Sequence, residues 1–459
     1  MAAENTSWSP QSWKKKAEAQ KVEYPDAGAV GLAAEKLAGL PPLVTSWEIE
    51  RLKSQVAEAQ VGKRFLLQGG DCAERMEECT PEAIAAKLKI LLQMSLVLVL
   101  GGHKPVIRVG RFAGQYAKPR SSSSEMQVVD GKQVTLPSYF GDLFNRPEFN
   151  EQSRRPDPFA MVAAYERAAT TLNFIRSLAA GGFADLHHPE YWNLSFFKHA
   201  TLSAQRRGEY EKMVEGLTQA MRFMAAIGEG DVADLSRVEF FTSHEGLNLH
   251  YEAAQTRRVP RRTGWYDLTT HMPWVGERTR QLDGAHIEFF RGIANPVGVK
   301  VGPKATAGEV VELCRVLNPE NEAGKIVLIT RMGAERVASV LPGVVAAVVK
   351  SEAKVLWVCD PMHGNGVTTS TGVKTRNFEA IERELEETIE VLPRAGAHLG
   401  GVHFELTGED VTECVGGASG VTEATLGENY NSVCDPRLNY AQALEIAFLL
   451  AGRLGAGRV

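Results

Sequence analysis

The first sign of chemistry in this sequence is a set of basic residues at or near the ends of apolar runs: Arg111, Lys118, Arg120, Arg278, Lys300 and Arg331. Lys300 and Arg331 each end an apolar run directly, where removing a charge from water is costly unless an anion lies nearby. For any single arginine, an internal salt bridge is the ordinary interpretation. The whole set at one end of a fold indicates substrates with phosphate and carboxylate groups, because the guanidinium fork binds these oxyanions through paired hydrogen bonds.

A second set combines a thiol, an imidazole and two carboxylates: Cys72, His363, Glu405 and Asp435. This mixture of soft and hard donors suits Mn²⁺, Co²⁺, Fe²⁺ or Zn²⁺ better than Mg²⁺ or Ca²⁺. The four residues are far apart and form no local spacing motif, so a buried cysteine with satisfied carboxylates is the alternative. Positions after the first, seventh and eighth predicted strands favour the metal site.

These residues need a scaffold that brings the ends of distant strands together. Short apolar runs, most of them separated by amphipathic helical stretches, each lead to a charged or metal-binding residue. The eight runs are 65–67, 106–109, 238–241, 274–275, 297–299, 326–330, 355–358 and 402–404. This pattern predicts a (β/α)8 TIM barrel, whose active site lies at the carboxyl ends of the strands.

The chain around this barrel divides into three predicted parts. Residues 1–60 form an N-terminal extension with a helix over 46–60 that Ser46 caps. The catalytic barrel covers 61–459, with helices over 81–100, 279–294, 306–317, 333–350, 374–392 and 439–454. After the second strand come a loop-rich stretch, 111–157, and an accessory segment, 158–237. That segment is longer than one crossover helix requires and has helical patterns over 158–180, 190–198 and 206–227.

The composition excludes several classes of protein. A length of 459 residues fits one barrel with insertions, and a net charge of −5 gives no general attraction to nucleic acid or to acidic membranes. The longest apolar stretch, 90–100, is interrupted by Gln93 and is too short to span a bilayer. The first 19 residues lack the apolar core of a signal peptide. We therefore expect a cytoplasmic protein with no nucleic-acid or membrane partner. Its six cysteines are expected to be thiols, metal ligands or redox sites rather than a disulfide framework.

Long blocks of the sequence resemble those of type II 3-deoxy-D-arabino-heptulosonate-7-phosphate synthases. The match runs in order over nearly the whole chain. The blocks are QGGDCAE at 68–74, GQYAKPRS at 114–121, WVGERTRQLDGAH at 274–286, ANPVGVK at 294–300, TRMG at 330–333, DPMHGN at 360–365 and CDPRLN at 434–439. The stretch WSPQSWK at 8–14 resembles the plant and fungal-like branch of the family.

The resemblance implies an activity and a set of binding residues. The expected reaction condenses phosphoenolpyruvate with D-erythrose 4-phosphate and water, releases phosphate and begins the shikimate pathway. One divalent ion per subunit, Mn²⁺ or Co²⁺ with Fe²⁺ or Zn²⁺ as alternatives, would be bound by Cys72, His363, Glu405 and Asp435. Phosphoenolpyruvate would be held by Arg111, Glu277, Arg278, Lys300 and Arg331. Erythrose 4-phosphate would be held by Lys118, Pro119, Arg120 and Ser121.

Catalytic roles follow from these positions as hypotheses. Lys300 is expected to give a proton to the new alkoxide, and Glu277 to orient the water that adds at C2 of phosphoenolpyruvate. The catalytic metal would depend on Cys72 and His363, and would polarise the aldehyde of the sugar phosphate. Because Cys434 lies near the same proposed metal, a disulfide with Cys72 is a hypothetical redox switch.

Family members with such an extension and accessory segment use them for oligomer contacts and for binding aromatic amino acids. The resemblance therefore implies a homo-oligomer, a dimer or a tetramer, with an aromatic amino acid as feedback inhibitor. Two alternatives are a synthase that uses a modified aldose phosphate in a secondary-metabolite pathway and an inactive regulatory barrel; the intact motifs argue against both. The residues alone support a metal-dependent barrel enzyme for phosphorylated, carboxylated small molecules, and leave a non-enzymatic binding protein open.

Overall fold

The computed structural model describes residues 8–180 and 239–455, with scattered positions between 204 and 219. Eight parallel strands form one curled sheet: β1 Phe65–Gly70, β2 Val106–Arg111, β3 Phe241–Thr242, β4 Trp274–Val275, β5 Val297–Val301, β6 Ile326–Thr330, β7 Val355–Cys359 and β8 Gly401–Glu405. Their order in the sheet is β3-β2-β1-β8-β7-β6-β5-β4. Each strand coincides with or overlaps one predicted apolar run.

The two edge strands of this sheet, β3 and β4, also meet through backbone hydrogen bonds. Met272 N donates to Thr242 O at 3.3 Å, and Trp274 N donates to His244 O at 3.0 Å. Glu245 and Trp274 form an isolated parallel bridge. The sheet therefore closes on itself just beyond the short strand β3, and the predicted (β/α)8 TIM-barrel fold is confirmed.

Apolar side chains fill the barrel interior, and a helix of the N-terminal segment closes its lower end. Leu66, Ile107, Val109, Phe241, Met272, Trp274, Val327, Ile329, Leu356 and Val358 form the interior cluster. Leu52, Val56 and Ala59 of the helix Ser46–Gln60 belong to the same buried cluster. The residues before β1 thus contribute to the barrel core, because the amino-terminal mouth would otherwise expose its apolar side chains to water.

The cap of this helix is Thr45, so the prediction of Ser46 was wrong by one position. The Thr45 hydroxyl accepts a hydrogen bond from Glu48 N at 3.3 Å. The Glu48 carboxylate accepts one in return from Thr45 N at 2.8 Å. This reciprocal capping box requires a glutamate three residues after the cap, a spacing that Thr45 satisfies and Ser46 does not.

The outer helices agree with most predictions but differ at their ends. They are Pro81–Gly102, Leu249–Gln255, Ala285–Phe290, Ala307–Leu317, Val337–Lys350, Phe378–Arg394 and Tyr440–Gly455. The helix predicted over 279–294 is limited to Ala285–Phe290. The helix predicted from position 374 begins later, because Lys374–Arg376 pairs with Gly366–Thr368 in an antiparallel hairpin.

Other short elements lie outside the barrel. Before β1 are the 3₁₀ helix Ser12–Lys15 and the helix Ala27–Gly39. Within the predicted loop-rich stretch 111–157, the antiparallel strands Ser124–Val129 and Lys132–Pro137 form a hairpin that the sequence analysis missed. The accessory segment begins with the helix Ala160–Ala180. The predicted helix over 190–198 lies outside the described residues, and of that over 206–227 the positions 211–216 are helical.

One helix of the described residues, Pro81–Gly102, has the length and apolar composition to cross a membrane. It is longer than the apolar stretch predicted at 90–100. In its most apolar 18-residue stretch, the larger part is buried inside the protein. Lys87 and Gln93 are among the buried side chains of the helix. It packs against the C-terminal helix Tyr440–Gly455 as an ordinary core helix of the barrel.

A close contact between these two helices gives a prediction about stability. A Cβ added at Gly101 would overlap the Cβ of Ala451 and lie 2.6 Å from its carbonyl oxygen. We expect Gly101→Ala to lower the free energy of unfolding by about 1–3 kcal/mol, although alanine favours helices intrinsically. Gly343→Ala is the matched control, because no heavy atom lies within 4 Å of its added Cβ. Urea denaturation of both variants checks this, and a Gly101→Ala protein as stable as the control contradicts it.

Candidate functional site

A cavity of about 440 Å³ opens at the carboxyl ends of the barrel strands. It is lined by Cys72, Arg111, Gln115, Lys118, Pro119, Arg120, Ser121, Glu245, Trp274, Gly276, Glu277, Arg278, Lys300, Pro303, Lys304, Arg331, His363, Lys374 and Asp435. Every predicted site residue except Glu405 is in this lining, and Glu405 is buried directly behind it at the end of β8. The fold thus brings residues from all parts of the sequence to one cavity, although it leaves their individual roles as predictions.

The four predicted metal ligands meet at one side of the cavity. Ligand atoms of Cys72, Glu405 and Asp435 all lie within 4.8 Å of one another. His363 Nε2 lies 2.9 Å from Glu405 Oε1, so the imidazole joins the same cluster. Cys72, Glu405 and Asp435 therefore lie close enough together to hold one divalent ion of borderline softness, and His363 lies beside them against Glu405.

Lys118 places its ammonium group among the same donors. Its Nζ lies 2.8 Å from Cys72 Sγ and 2.7 Å from Asp435 Oδ2. This positive charge holds the pKa of Asp435 well below its usual range. Burial, by contrast, raises the pKa of the Cys72 thiol. The Lys118 ammonium therefore balances the negative charge of these donors in the structure.

Glu405 is the most strongly held member of the cluster. Arg111 Nη2 lies 3.0 Å from Oε1, and Arg376 Nη2 lies 2.7 Å from Oε2. Burial alone would raise its pKa, but His363 and the surrounding cations hold the pKa well below the usual range. Glu405 is thus ionised. The sequence analysis missed Arg376, whose only local signal is its position in a short polar strand.

Lys300 lies deeper in the barrel mouth, with only 5% of its surface exposed. Its ammonium donates a hydrogen bond to Asp360 Oδ2, and the same carboxylate lies 2.8 Å from His363 Nδ1. Burial lowers the pKa of Lys300 to about 8, while Asp360 opposes that shift. Asp360 therefore orients both the lysine and the histidine. The sequence analysis placed it in a motif but gave it no role.

Besides Asp435, two glutamates line the cavity, Glu245 and Glu277. Only one of the two has a carboxylate oxygen without a hydrogen-bond partner among the described residues. The Glu277 carboxylate accepts hydrogen bonds from Gly302 N at 2.7 Å and from Arg280 Nη2 at 3.0 Å. Glu245 is buried, and its Oε1 has no hydrogen-bond partner among the residues that the structure describes. Burial raises the pKa of Glu245. A buried polar atom without a partner is uncommon in proteins and points to a ligand.

Glu245 is a residue that the sequence analysis did not assign to the site. Its signal was its position just after the third predicted strand. Glu245 N donates to Gln115 Oε1 at 2.9 Å, which fixes it against the loop after β2.

That loop, which carries the cationic side chains, is held by a buried carboxylate. Glu74 accepts hydrogen bonds from the backbone N–H groups of residues 113–115 at 2.8–3.1 Å. Gly114 has φ +149°, and a Cβ there would lie 2.5 Å from His244 Nδ1. Glycine is thus required for the turn that brings Lys118 back over the cavity.

The remaining predicted ligands lie near the cavity mouth. Arg278 is exposed, and Ser121 is also exposed. Arg120 Nη2 pairs with Glu125 at 2.9 Å, which ties the predicted sugar-phosphate loop to the hairpin that follows it. Arg331 Nη2 donates to the carbonyl oxygen of His363. These side chains surround the deeper metal-type cluster with positive charge.

Cys72 and Cys434 are both free thiols in the structure and lie in one small buried cluster with Ala73 and Tyr139. A hydrogen bond between the two thiols lowers the pKa of Cys434. The redox hypothesis stays a prediction. It fails if both thiols of peroxide-treated protein still react with an alkylating reagent after denaturation.

The fold and the cavity indicate a class of protein: a barrel enzyme for phosphorylated, carboxylated small molecules, with a donor set that suits a divalent metal. Comparison with known families gives the particular one. The model of the class-II DAHP synthetase family matches residues 8–451, and the chain belongs to this family. It is a 3-deoxy-7-phosphoheptulonate synthase, a transferase that condenses phosphoenolpyruvate with erythrose 4-phosphate in the first step of the shikimate pathway.

Individual relatives agree with this family. The chain is 46% identical over 460 residues to phospho-2-dehydro-3-deoxyheptonate aldolase of Neurospora crassa, which covers 97% of this chain and 94% of the relative. It is 46% identical over 441 residues to a protein of the same name from Streptomyces coelicolor, with 96% of each covered. A relative from Mycolicibacterium smegmatis is 44% identical over 423 residues, with 91% and 89% covered. The chain is 46% identical to the fungal relative and also 46% identical to the Streptomyces relative. Overall identity therefore favours neither the predicted plant and fungal-like branch nor a bacterial one.

Proposed function

We propose that the cavity holds phosphoenolpyruvate against Arg111, Lys300 and Arg331, with Glu277 and Arg278 completing its site. The observation that carries this is the convergence of these cations on one cavity beside a metal-type cluster. Arg111 Nε and Arg331 Nε are buried donors without a partner among the described residues, which supports an anionic ligand. Erythrose 4-phosphate is proposed to lie nearer the mouth, against the loop Lys118, Pro119, Arg120 and Ser121.

Cys72, His363, Glu405 and Asp435 are proposed to hold one divalent ion per subunit. The mixed donor set favours Mn²⁺ or Co²⁺, with Fe²⁺ and Zn²⁺ as alternatives. When bound, such an ion supplies Lewis acidity toward the aldehyde oxygen of the sugar phosphate. Arg111 and Arg376 keep Glu405 ionised and oriented for this binding.

Different side chains of the cavity then act in different steps of the reaction. C3 of phosphoenolpyruvate attacks the aldehyde carbon, and Lys300 gives a proton to the oxygen that becomes an alkoxide. Water adds at C2, and the resulting hemiketal expels phosphate. We assign orientation of this water to Glu245, which has a free buried oxygen, rather than to Glu277 as the sequence predicted. The Glu245 carboxylate also accepts the proton that the water loses as its oxygen bonds to C2. Glu277 is assigned a binding role, since Arg280 and Gly302 occupy its carboxylate.

Replacing Glu245 with glutamine tests this assignment. The amide has nearly the same shape but cannot accept a proton, so we expect kcat to fall about a hundredfold while KM for phosphoenolpyruvate changes little. Glu277→Gln should instead raise KM for phosphoenolpyruvate, because the hydrogen bond to Gly302 N is weakened. Asp283→Asn, an exposed change in a neighbouring loop, is the control. Steady-state kinetics of the three variants decide, and a larger loss of kcat in Glu277→Gln reverses the assignment.

The function as a whole is tested by phosphate release. Metal-stripped protein is assayed with phosphoenolpyruvate and erythrose 4-phosphate, alone and together, before and after Mn²⁺ or Co²⁺ is restored. Turnover that needs both substrates and the metal is the expected result. Folded protein without turnover under any of these conditions contradicts the proposed site.

We further propose that the chain is a homo-oligomer, a dimer or a tetramer, inhibited by an aromatic amino acid. A hollow of about 770 Å³ at the opposite, amino-terminal end of the barrel has walls of suitable chemistry. Its lining includes Arg51, Arg64 and Arg108 for a carboxylate, and Leu100 and Phe241 for an aromatic ring. A titration with Trp, Phe and Tyr, singly and in pairs, that causes no loss of rate removes this proposal; light scattering gives the oligomeric state.

The division of the chain into an extension, 1–60, and a catalytic barrel, 61–459, also remains a proposal. Burial of Leu52 and Val56 in the barrel core implies that removing residues 1–60 exposes apolar surface. A truncated chain that folds and turns over normally supports a separable extension. We also propose that the protein is cytoplasmic, and cell fractionation tests this location.

A further inference from the structure

Glu384 is a buried carboxylate that lies behind the cavity and outside its lining. It is in the middle of the helix Phe378–Arg394 and is 1% exposed. Its Oε1 accepts hydrogen bonds from Met332 N at 2.7 Å and Gly333 N at 2.9 Å. Its Oε2 accepts one from Asn365 Nδ2 at 2.7 Å. One side chain thus binds both the loop after β6 and the loop after β7.

Each of these loops carries a residue of the proposed site. Arg331 directly precedes Met332, and His363 stands two residues before Asn365. Arg331 Nη2 donates to His363 O. Asn365 Oδ1 in turn accepts a hydrogen bond from Ala334 N at 3.0 Å. The phosphate-binding arginine and the metal-binding histidine therefore lie on two loops that share a network of hydrogen bonds.

The two loops also fit together without room for side chains between them. Gly333 has φ +86°, a conformation that favours glycine. A Cβ added at Gly364 would lie 2.6 Å from the Cα of Gly333. The backbones are therefore in direct contact, so a shift of one loop moves the other.

The electrostatics of Glu384 agree with a fixed acceptor. Burial raises its pKa to about 7, and the N–H groups of Gly333 and Met332 oppose that shift. A buried acceptor without partners is costly, so the carboxylate is retained there only together with its three donors. Other acids of the same helix have different partners: Glu386 pairs with Arg453, and Glu390 with Arg394.

We infer that Glu384 is a positioning residue that fixes Arg331 and His363 relative to each other, and so supports phosphoenolpyruvate binding and metal binding together. The inference rests on the proposed function for the identity of the two ligands. Glu384 itself contacts neither of them.

The test begins with Glu384→Gln. Glutamine keeps an oxygen for Met332 N and Gly333 N but turns an NH₂ group toward the NH₂ group of Asn365. The loop after β7 should therefore loosen most. We expect the Kd for Mn²⁺ or Co²⁺ to rise about tenfold, as is typical when a residue that orients a metal ligand is lost. KM for phosphoenolpyruvate should rise about threefold. KM for erythrose 4-phosphate at saturating metal should stay within about twofold of wild type.

Two further variants separate positioning from loss of fold. Glu390→Gln, an exposed change on the same helix, should leave all constants unchanged. In the double variant Glu384→Gln, Asn365→Asp, the glutamine amide at position 384 donates to the carboxylate at position 365, so the hydrogen bond is restored with its direction reversed. This variant should recover part of the metal affinity. If Glu384→Gln fails to fold, Asn365→Ala still removes the contact and should weaken metal binding.

Metal affinity is measured by competition with a chromophoric chelator, independently of turnover. Unchanged Kd and KM in Glu384→Gln overturn the inference, as does an equal rise in all three constants without rescue by Asn365→Asp. Failure of the proposed function would be seen differently: wild-type protein would not release phosphate, while the chelator measurement would still report on Glu384.

Discussion

Lys300→Met is expected to lower kcat by about a thousandfold, because it removes the proposed proton donor from a site that water reaches poorly. Lys300 is buried at the end of β5, and its ammonium is held by Asp360 and lies 5.8 Å from the centre of the Trp274 ring. Methionine has a similar length and no proton to give. It also leaves the Asp360 carboxylate with one cation fewer, so KM for phosphoenolpyruvate should rise as well.

The pH dependence of the wild-type enzyme should report the same residue. Burial lowers the pKa of Lys300 to about 8. A proton donor acts only in its protonated form, so kcat/KM should be constant below that pH and fall as the pH rises through about 8. This alkaline decline should be absent from Lys300→Met.

The control for this prediction is Lys350→Met, an exposed change at the end of the helix Val337–Lys350. It should leave kcat and the pH profile unchanged. Near-normal turnover of Lys300→Met at saturating substrates would falsify the donor role. A profile of the variant that keeps the wild-type decline would show that another group titrates there.

Loss of the metal is the second large effect, and Cys72→Ala should produce it. Cys72 supplies the one soft donor of the cluster and lies within 4.8 Å of the ligand oxygens of Glu405 and Asp435. Without the thiol, three ligands remain, and we expect metal affinity to fall by at least about a hundredfold. Turnover at micromolar metal should fall below detection. Excess Mn²⁺ should recover only part of the rate, since the ion geometry is no longer complete.

Cys314→Ala is the matched control, because Cys314 is also a buried thiol but lies on the outer helix Ala307–Leu317. Elemental analysis after gel filtration should find one ion per subunit in wild type and in Cys314→Ala, and less in Cys72→Ala. Equal metal content and equal affinity in all three proteins would remove Cys72 from the ligand set. Thermal unfolding of the metal-free forms then shows whether the alanine disturbs the fold itself.

The barrel itself was readable from the sequence because its signals are local. Each strand is a short apolar run, and each run ends at a residue that is costly to bury unless the fold provides a partner. A parallel barrel puts all such ends on one face, so the site residues could be grouped before any contact was known. The hairpin of Ser124–Val129 with Lys132–Pro137 was missed although it has local signals. Apolar and polar residues alternate in both strands, and Asp130-Gly131 between them is a favoured hairpin turn.

Contacts between distant parts of the chain were beyond local reasoning. Glu277 and Glu245 are both acids just after strands, and the sequence analysis assigned the first a catalytic role. Only the folded chain shows that Arg280 and Gly302 occupy Glu277, while Glu245 keeps a buried oxygen free. The difference depends on which side chain each carboxylate meets, and that is set by packing.

By itself, the sequence determined the strands, the residue types at their ends and, through its motifs, the family of the enzyme. The tertiary structure decided which carboxylates are free and which hold loops in place. Glu74 and Glu384 are the plainest cases: each looks like an ordinary acid in the sequence, and each accepts backbone hydrogen bonds from loops that follow other strands. Local sequence patterns show which residue type stands at the end of each strand. The hydrogen-bond partner of that residue is determined only when parts of the chain that are far apart in sequence pack together.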